Sequence, residues 1–422
     1  MSTPAPSTAA AAEPKSFPRL MSLDALRGFD MFWILGADAL VHALNRMSAG
    51  KDGAQASGGF IHFLASQLEH KEWAGFAFYD LIFPLFVFMV GAAMVYSLTR
   101  TIEQEGRSMA VKRVIRRGLL LVVIGIFYSG GFSNKWPDIR LLGVLQRIGL
   151  AYLFGGLLFC YFKPKALAGI CAGLLIGYWG IMTFVPIRDI QLNKETLAPM
   201  AKEAGVTNNL AFAHTAFADT TATTTGKFEP GYNVSNHLDF QYLPGKKYDT
   251  YWDPEGMLST IPAIATCLLG AFAGLFLRDP DRCDHRKVIY LISGGIAAAI
   301  IGWLWHLQFP VVKKIWTSSF VLVAGGYSAI LMGVFYLIVD VLKYQKWCQP
   351  FIWIGMNSIT VYLANNLIGF RRQADRFVGG DVRQFLNDQV QGLGDMAGAI
   401  MGLALATLFV WYLHRKKIFL RL

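Results

Sequence analysis

The sequence predicts an all-α integral membrane protein with about ten transmembrane helices and one long extracytoplasmic loop. Three observations predict it. Of 422 residues, 54% are hydrophobic and only 16% charged, with a mean hydropathy of +0.40; an average soluble domain runs about 25% charged and 45–50% apolar. Ten stretches then approach the ~20 apolar residues that cross ~30 Å of hydrocarbon. Lys and Arg, finally, gather at alternate ends of those stretches. A net charge of +11 spread in this way marks membrane orientation, so no nucleic-acid partner is expected.

The elements follow in order. Residues 1–16, MSTPAPSTAAAAEPKS, are Ala/Pro/Ser-rich and read as a disordered tail. They lack the basic start and cleavage site of a signal peptide. Residues 17–422 read as one transmembrane domain, with spans at 28–46, 78–99, 116–132, 141–162, 166–186, 257–277, 287–306, 316–340, 350–369 and 396–413. With the N-terminus inside, cytoplasmic segments hold 21 Lys and Arg against 11 in the short opposite loops. Both termini are therefore expected in the cytoplasm, with the chain multi-pass in the inner (plasma) membrane. The polar stretch 187–255 then lies outside, as a surface loop with some strand or as a lid. Cys160, Cys171 and Cys267 fall inside apolar runs, with no CxxC spacing, and read as small packing residues. No internal repeat supports a transporter of two similar halves.

Ionisable residues inside spans are expensive and are functional candidates by default. Asp30, Asp38 and His42 are spaced 8 and 4 apart, which puts them on one face of a continuous helix. His70 stands just before the second span and Asp80 inside it, with Pro84 one turn further on. The fourth span carries Gln146 and Arg147, and the ninth carries Asn357 and Ser358. Arg147 has a second reading, as a structural partner of Asp30 or Asp80. Asn357 and Ser358 have one as interhelical glue. There is no HExxH, Walker A, Rossmann or GxSxG pattern and no metal-ligand spacing, so no metal is expected. A histidine beside carboxylates can serve as base or nucleophile, or as a proton relay. These residues alone leave a transferase, a proton-coupled transporter and a membrane scaffold all open.

Five stretches resemble one family: RLMSLDALRGFDMFWILGADAL (19–40), HKEWAGFAFYDLIFPLFVFMVGAA (70–93), LLGVLQRIGLAYL (141–153), WDPEGMLSTIPAIATCLLGAFAG (252–274) and GMNSITVYL (355–363). Together and in this order, they are similar to heparan-α-glucosaminide N-acetyltransferase and its bacterial relatives, a group of multispan acyltransferases. The resemblance implies transfer of acetyl from cytoplasmic acetyl-CoA to an amino-sugar or glycan amine or hydroxyl across the bilayer. It implies His70 as the catalytic histidine, with Asp80 and Asp38 beside it; Asp38 stands where the lysosomal member has an Asn. That member also carries a large luminal domain ahead of its spans, where this sequence has the short tail. Arg27, Arg113, Arg116 and Arg117 become candidates for CoA phosphates, their other reading being orientation anchors. Gln146, Arg147, Asn357 and Ser358 become candidates along an acyl-arm route, and His237, Asp239, Asp253 and Glu255 candidates for the acceptor. A homodimer is admitted as an assembly.

Overall fold

The computed structural model describes residues 20–48 and 59–420, so the expected tail lies outside the described residues. Its helices are α1 Met21–Phe32, α2 Asp38–Ser48, α3 Phe60–Gln67, α4 Phe78–Glu105, α5 Arg107–Tyr128, α6 Val144–Tyr161, α7 Pro164–Phe184, α8 Lys194–Glu203 and α9 Asn209–Asp219. There follow α10 Val234–Tyr242, α11 Thr260–Arg278, α12 Asp284–Trp305, α13 Ser318–Phe335, α14 Gln349–Met356, α15 Ser358–Ile368, α16 Phe370–Val378, α17 Gly380–Gln389 and α18 Leu393–Arg415.

Among the described residues, seven helices are long and apolar enough to cross a bilayer: α4, α6, α7, α11, α12, α13 continued to Val341, and α18. The pair α14–α15, bent by 81°, makes eight. This is fewer than about ten, and two expected spans account for the difference. The first is broken at Gly36, whose φ of +113 interrupts a widened turn over Trp33–Ala37 and leaves two helices of 12 and 11 residues. Asp30 and Asp38 therefore do not share one continuous helical face. The third is α5, whose first half carries Arg107, Lys112, Arg113, Arg116 and Arg117.

The centre of the bundle is the crossing of α4 and α11, which approach at glycines. A Cβ on Gly91 would stand 1.9 Å from the Cys267 carbonyl, and one on Gly270 would stand 1.8 Å from that of Phe88. Small residues at such crossings let backbones meet, which is how helices associate where lipid removes the hydrophobic driving force. Around this axis α4 also packs on α5, α6 and α13, and α12 pairs with α13.

The first turns of α4, α6, α11 and α13 meet the last turns of α7 and α12 at one end of the bundle. Residues 187–255 fold over that end. They hold a short antiparallel pair, β1 (Ile187–Arg188) with β2 (Thr223–Thr224), and the three helices α8, α9 and α10. Leu192, Leu197, Phe217, Phe240, Tyr251 and Trp252 give this segment an apolar core of its own. The expected loop with some strand thus holds that strand pair and, beside it, three short helices.

Candidate active site

Asp80 lies in the first turn of α4, where free N–H groups and the helix dipole favour a carboxylate. Its Oδ2 accepts from the backbone amides of Ala77 (3.1 Å) and Lys71 (3.3 Å). Its Oδ1 lies 2.9 Å from His70 Nδ1. A helix over 70–80 would separate the two residues by about 15 Å. The chain avoids this because residues 70–77 double back: Gly75 adopts φ +117, its amide bonds the Val311 carbonyl at 2.9 Å, and Ala74 pairs with Val312. Asp80 is 1% exposed, whereas the His70 side chain is 52% exposed. A buried carboxylate accepting from Nδ1–H holds the imidazole in one tautomer and leaves the Nε2 lone pair free.

Two further groups complete the cluster. The Lys313 ammonium sits 3.4 Å from Asp80 Oδ1, and 3.0 and 3.4 Å from His70 Nδ1 and Nε2. Burial pulls the Lys313 ammonium below the usual lysine range, and Asp80 pulls it back. On the other side the His70 ring lies against Tyr79, with centroids 4.8 Å apart, and the Tyr79 hydroxyl faces Asp38. Asp38 thus reaches His70 through Tyr79.

The cluster forms the polar mouth of a cavity of about 290 Å³. Met31, Ile82, Phe86 and Ile148 line its apolar depth, while Glu255, Ser358 and Tyr362 add polar groups. An apolar pocket with a few convergent polar groups is what a small-molecule site requires.

Glu255 is set by a braced turn. Arg140 grips Asp253 with two bonds (2.9 and 2.7 Å) and reaches Glu255 Oε2 at 2.7 Å. From below, Arg147 bonds the Pro254 carbonyl at 2.9 Å and the Ser259 hydroxyl, its guanidinium 4.9 Å over the Trp316 ring. Its partners are this turn rather than Asp30 or Asp80, which corrects the ion-pair reading. From above, Asp239 Oδ1 accepts from the Met257 amide at 2.9 Å, while its buried Oδ2 has no hydrogen-bond partner among the described residues.

Burial pushes Asp239 up to about 7. Between the ordinary carboxylate range and pH 7 the folded state keeps a proton that the unfolded chain has lost, so stability falls as pH rises through that window and levels off above it. Asp239→Asn should flatten this decline and leave the protein more stable at pH 8 by on the order of 2–4 kcal/mol. Thermal melts of both proteins from pH 4 to 8 check it; parallel profiles would remove Asp239 as the titrating group.

The remaining expected residues are scattered. His237 is buried with Nε2 3.1 Å from the Ile190 carbonyl, and burial lowers it to about 4, so the ring is neutral. Of the four acceptor candidates, only Glu255 lines the cavity. Arg113 pairs with Glu105 at 3.2 Å and bonds Thr101, Arg116 is exposed, and Arg117 stacks over Tyr152 at 4.9 Å. These three lie toward the far end of α4, which rises about 32 Å from Asp80 to Thr101. Arg27 reaches Asp24 (3.6 Å) and the Gly355 carbonyl (3.5 Å). Gln146 is buried close to Gly125, Asn357 is buried at the α14–α15 bend, and Ser358 faces the cavity.

Sequence reasoning missed Lys313, Arg140 and Tyr79. An acidic WDPEG stretch beside a membrane calls for a cation. Arg140, however, lies 113 residues from Asp253, and nothing local marks it.

Fold and site together define a multispan helical membrane protein with a histidine, a carboxylate and an ammonium at the mouth of an apolar cavity. No family model matches the chain. It is 26% identical over 381 residues to heparan-alpha-glucosaminide N-acetyltransferase of Mus musculus, covering 83% of this chain and 56% of that protein. Against the Homo sapiens protein of the same name it is 26% identical over 446 residues, covering 95% and 60%. The chain is a distant relative of these acetyltransferases, and it spans less than two thirds of their length.

Proposed function

We propose that this protein is a transmembrane acetyltransferase of the inner membrane. In this reading acetyl-CoA is the donor on the cytoplasmic side, and an amino-sugar or glycan amine or hydroxyl accepts acetyl on the other side. The carrying observation is His70, which lines the cavity with its Nδ1 held by Asp80 and the Lys313 ammonium against its ring. Nε2 takes the acceptor's proton as its nitrogen or oxygen attacks the acetyl carbon, and the imidazolium returns that proton to the departing thiolate. Alternatively Nε2 attacks first and carries the acetyl group to the acceptor. The apolar cavity suits the acyl arm, and the cations of α5 suit the nucleotide phosphates at the opposite end.

The test is transfer in sealed vesicles holding the full chain, with radiolabelled acetyl-CoA on one side and glucosamine on the other. Labelled N-acetylglucosamine and free CoA should form in equal amounts. Sugar crossing with the thioester intact would make the protein a transporter. Neither event would leave it a scaffold.

A further inference from the structure

Lys313 has a position that ion pairing with Asp80 does not explain by itself. Its segment runs between α12 and α13, and the Ala74–Val312 pairing and the Gly75 amide on the Val311 carbonyl fasten it to the doubled-back His70 segment. The Pro310 carbonyl accepts from Ser319, and the Val312 amide donates to Thr317 Oγ1 at 3.0 Å. The chain leading into Lys313 is therefore held from Pro310 to Val312, and of this segment only Lys313 lines the cavity. The ammonium is nearly equidistant from the two imidazole nitrogens, at 3.0 and 3.4 Å. That places it against the ring rather than in line with one lone pair. Nε2 remains available, and a cation stands beside whatever Nε2 serves.

We propose that Lys313 is a second catalytic residue beside His70, whose ammonium meets the acetyl carbonyl oxygen and holds the negative charge that develops there. The inference rests on the acetyl-transfer reading above. Whether the attacking atom is the acceptor's or Nε2 itself, the new bond forms at the acetyl carbon and the carbonyl π pair moves onto oxygen. That oxygen then lies by the ammonium. The pair returns as the C–S bond breaks and the thiolate leaves. In direct transfer the thiolate collects the proton that Nε2 drew from the acceptor; when Nε2 itself attacks, the acceptor later displaces the acetyl group and its proton passes through Nε2 to the thiolate. A preorganised charge in a cavity with apolar walls acts strongly on such an oxyanion, because little water competes. Asp80 has two roles in this arrangement: it orients His70 and keeps Lys313 beside it.

The experiment uses the full chain in detergent or lipid discs, with acetyl-CoA and fluoroacetyl-CoA as donors. Lys313→Met should lower kcat for acetyl transfer by on the order of 10²–10³-fold, with acetyl-CoA affinity within about threefold of wild type. Fluorine stabilises the oxyanion through its own electron withdrawal, so the deficit should shrink at least several-fold with the fluorinated donor. A residue that merely positions His70 would cost the same factor with both. Lys313→Arg, which keeps the charge, should recover much of the loss. Should Lys313→Met not fold, Lys313→Gln carries the same comparison. Equal deficits for the two donors, or turnover within about threefold of wild type, overturn the assignment while acetyl transfer stands. A wild-type protein inert toward both donors overturns the acetyl-transfer reading, and this assignment with it.

Discussion

Replacing His70 with alanine should cut acetyl turnover by on the order of 10²–10⁴-fold, the range that general acid–base help supplies. Acetyl-CoA affinity should stay near wild type, because the cations available to its phosphates lie about 32 Å along α4 from Asp80. The fold should survive as well, since half of the His70 side chain is exposed and the buried Asp80 keeps Lys313 and the Ala77 and Lys71 amides as partners. Asp80→Asn should lose activity on a similar scale for a different reason. The amide can present its NH2 to Nδ1, which favours the tautomer with its proton on Nε2 and removes the free lone pair. The measurement is single-turnover transfer from labelled acetyl-CoA, with donor binding followed separately. A His70→Ala protein that transfers acetyl at near wild-type rate sinks the mechanism. Attention would then pass to Asp38 and Tyr79, since His237 is sealed within the 187–255 segment, packed against Phe217.

The pairing of His70 with Asp80 was legible as a possibility, because the two stand ten residues apart at the start of one apolar run with Gly75 between them, so one local turn decides whether they meet. The long spans were legible for the same reason, their signal being local. Expected limits of 166–186 and 316–340 compare with Pro164–Phe184 and Ser318–Val341. The broken helices were not. A lone glycine inside an apolar run is tolerated in a helix, and nothing near Gly36 separates its φ of +113 from an ordinary helical value. At Asn357 the chain turns 81° with no proline to announce it. The third expected span read as apolar from 116 on, but the helix starts at Arg107 and carries its cations within it. Arg140 and Lys313 are short-loop cations, indistinguishable in sequence from orientation anchors. Through-space pairing across 113 residues for one and 233 for the other gave each its role. The amphipathic helices α16 and α17 likewise stand where only an outer loop was expected.

Gly270→Ala should be among the most damaging single changes to the fold. The added Cβ would stand 1.8 Å from the Phe88 carbonyl oxygen, and its next neighbours are backbone atoms of the same residue, at 2.6 and 3.0 Å. No rotamer relieves a clash between a Cβ and a backbone carbonyl, so α4 and α11 must separate. Overpacking a tight core typically costs 1–3 kcal/mol, and about 3 kcal/mol is expected here because two central helices move together. The companion contact, Gly91 against the Cys267 carbonyl at 1.9 Å, lies on the same crossing, so the strain cannot be passed along the pair. Asp80 lies eight residues before Phe88 on α4, so the shift also carries the carboxylate away from Lys313 and His70. A matched control exists at Gly177 in α7, where a Cβ would meet nothing within 4 Å. There alanine should be neutral or slightly stabilising, since it is the better helix former. Thermal unfolding of the two variants in the same detergent makes the comparison. If Gly270→Ala melts with wild type, the α4–α11 crossing has slack that its backbone contacts deny, and the placement of Asp80 at the mouth of the cavity loses its support.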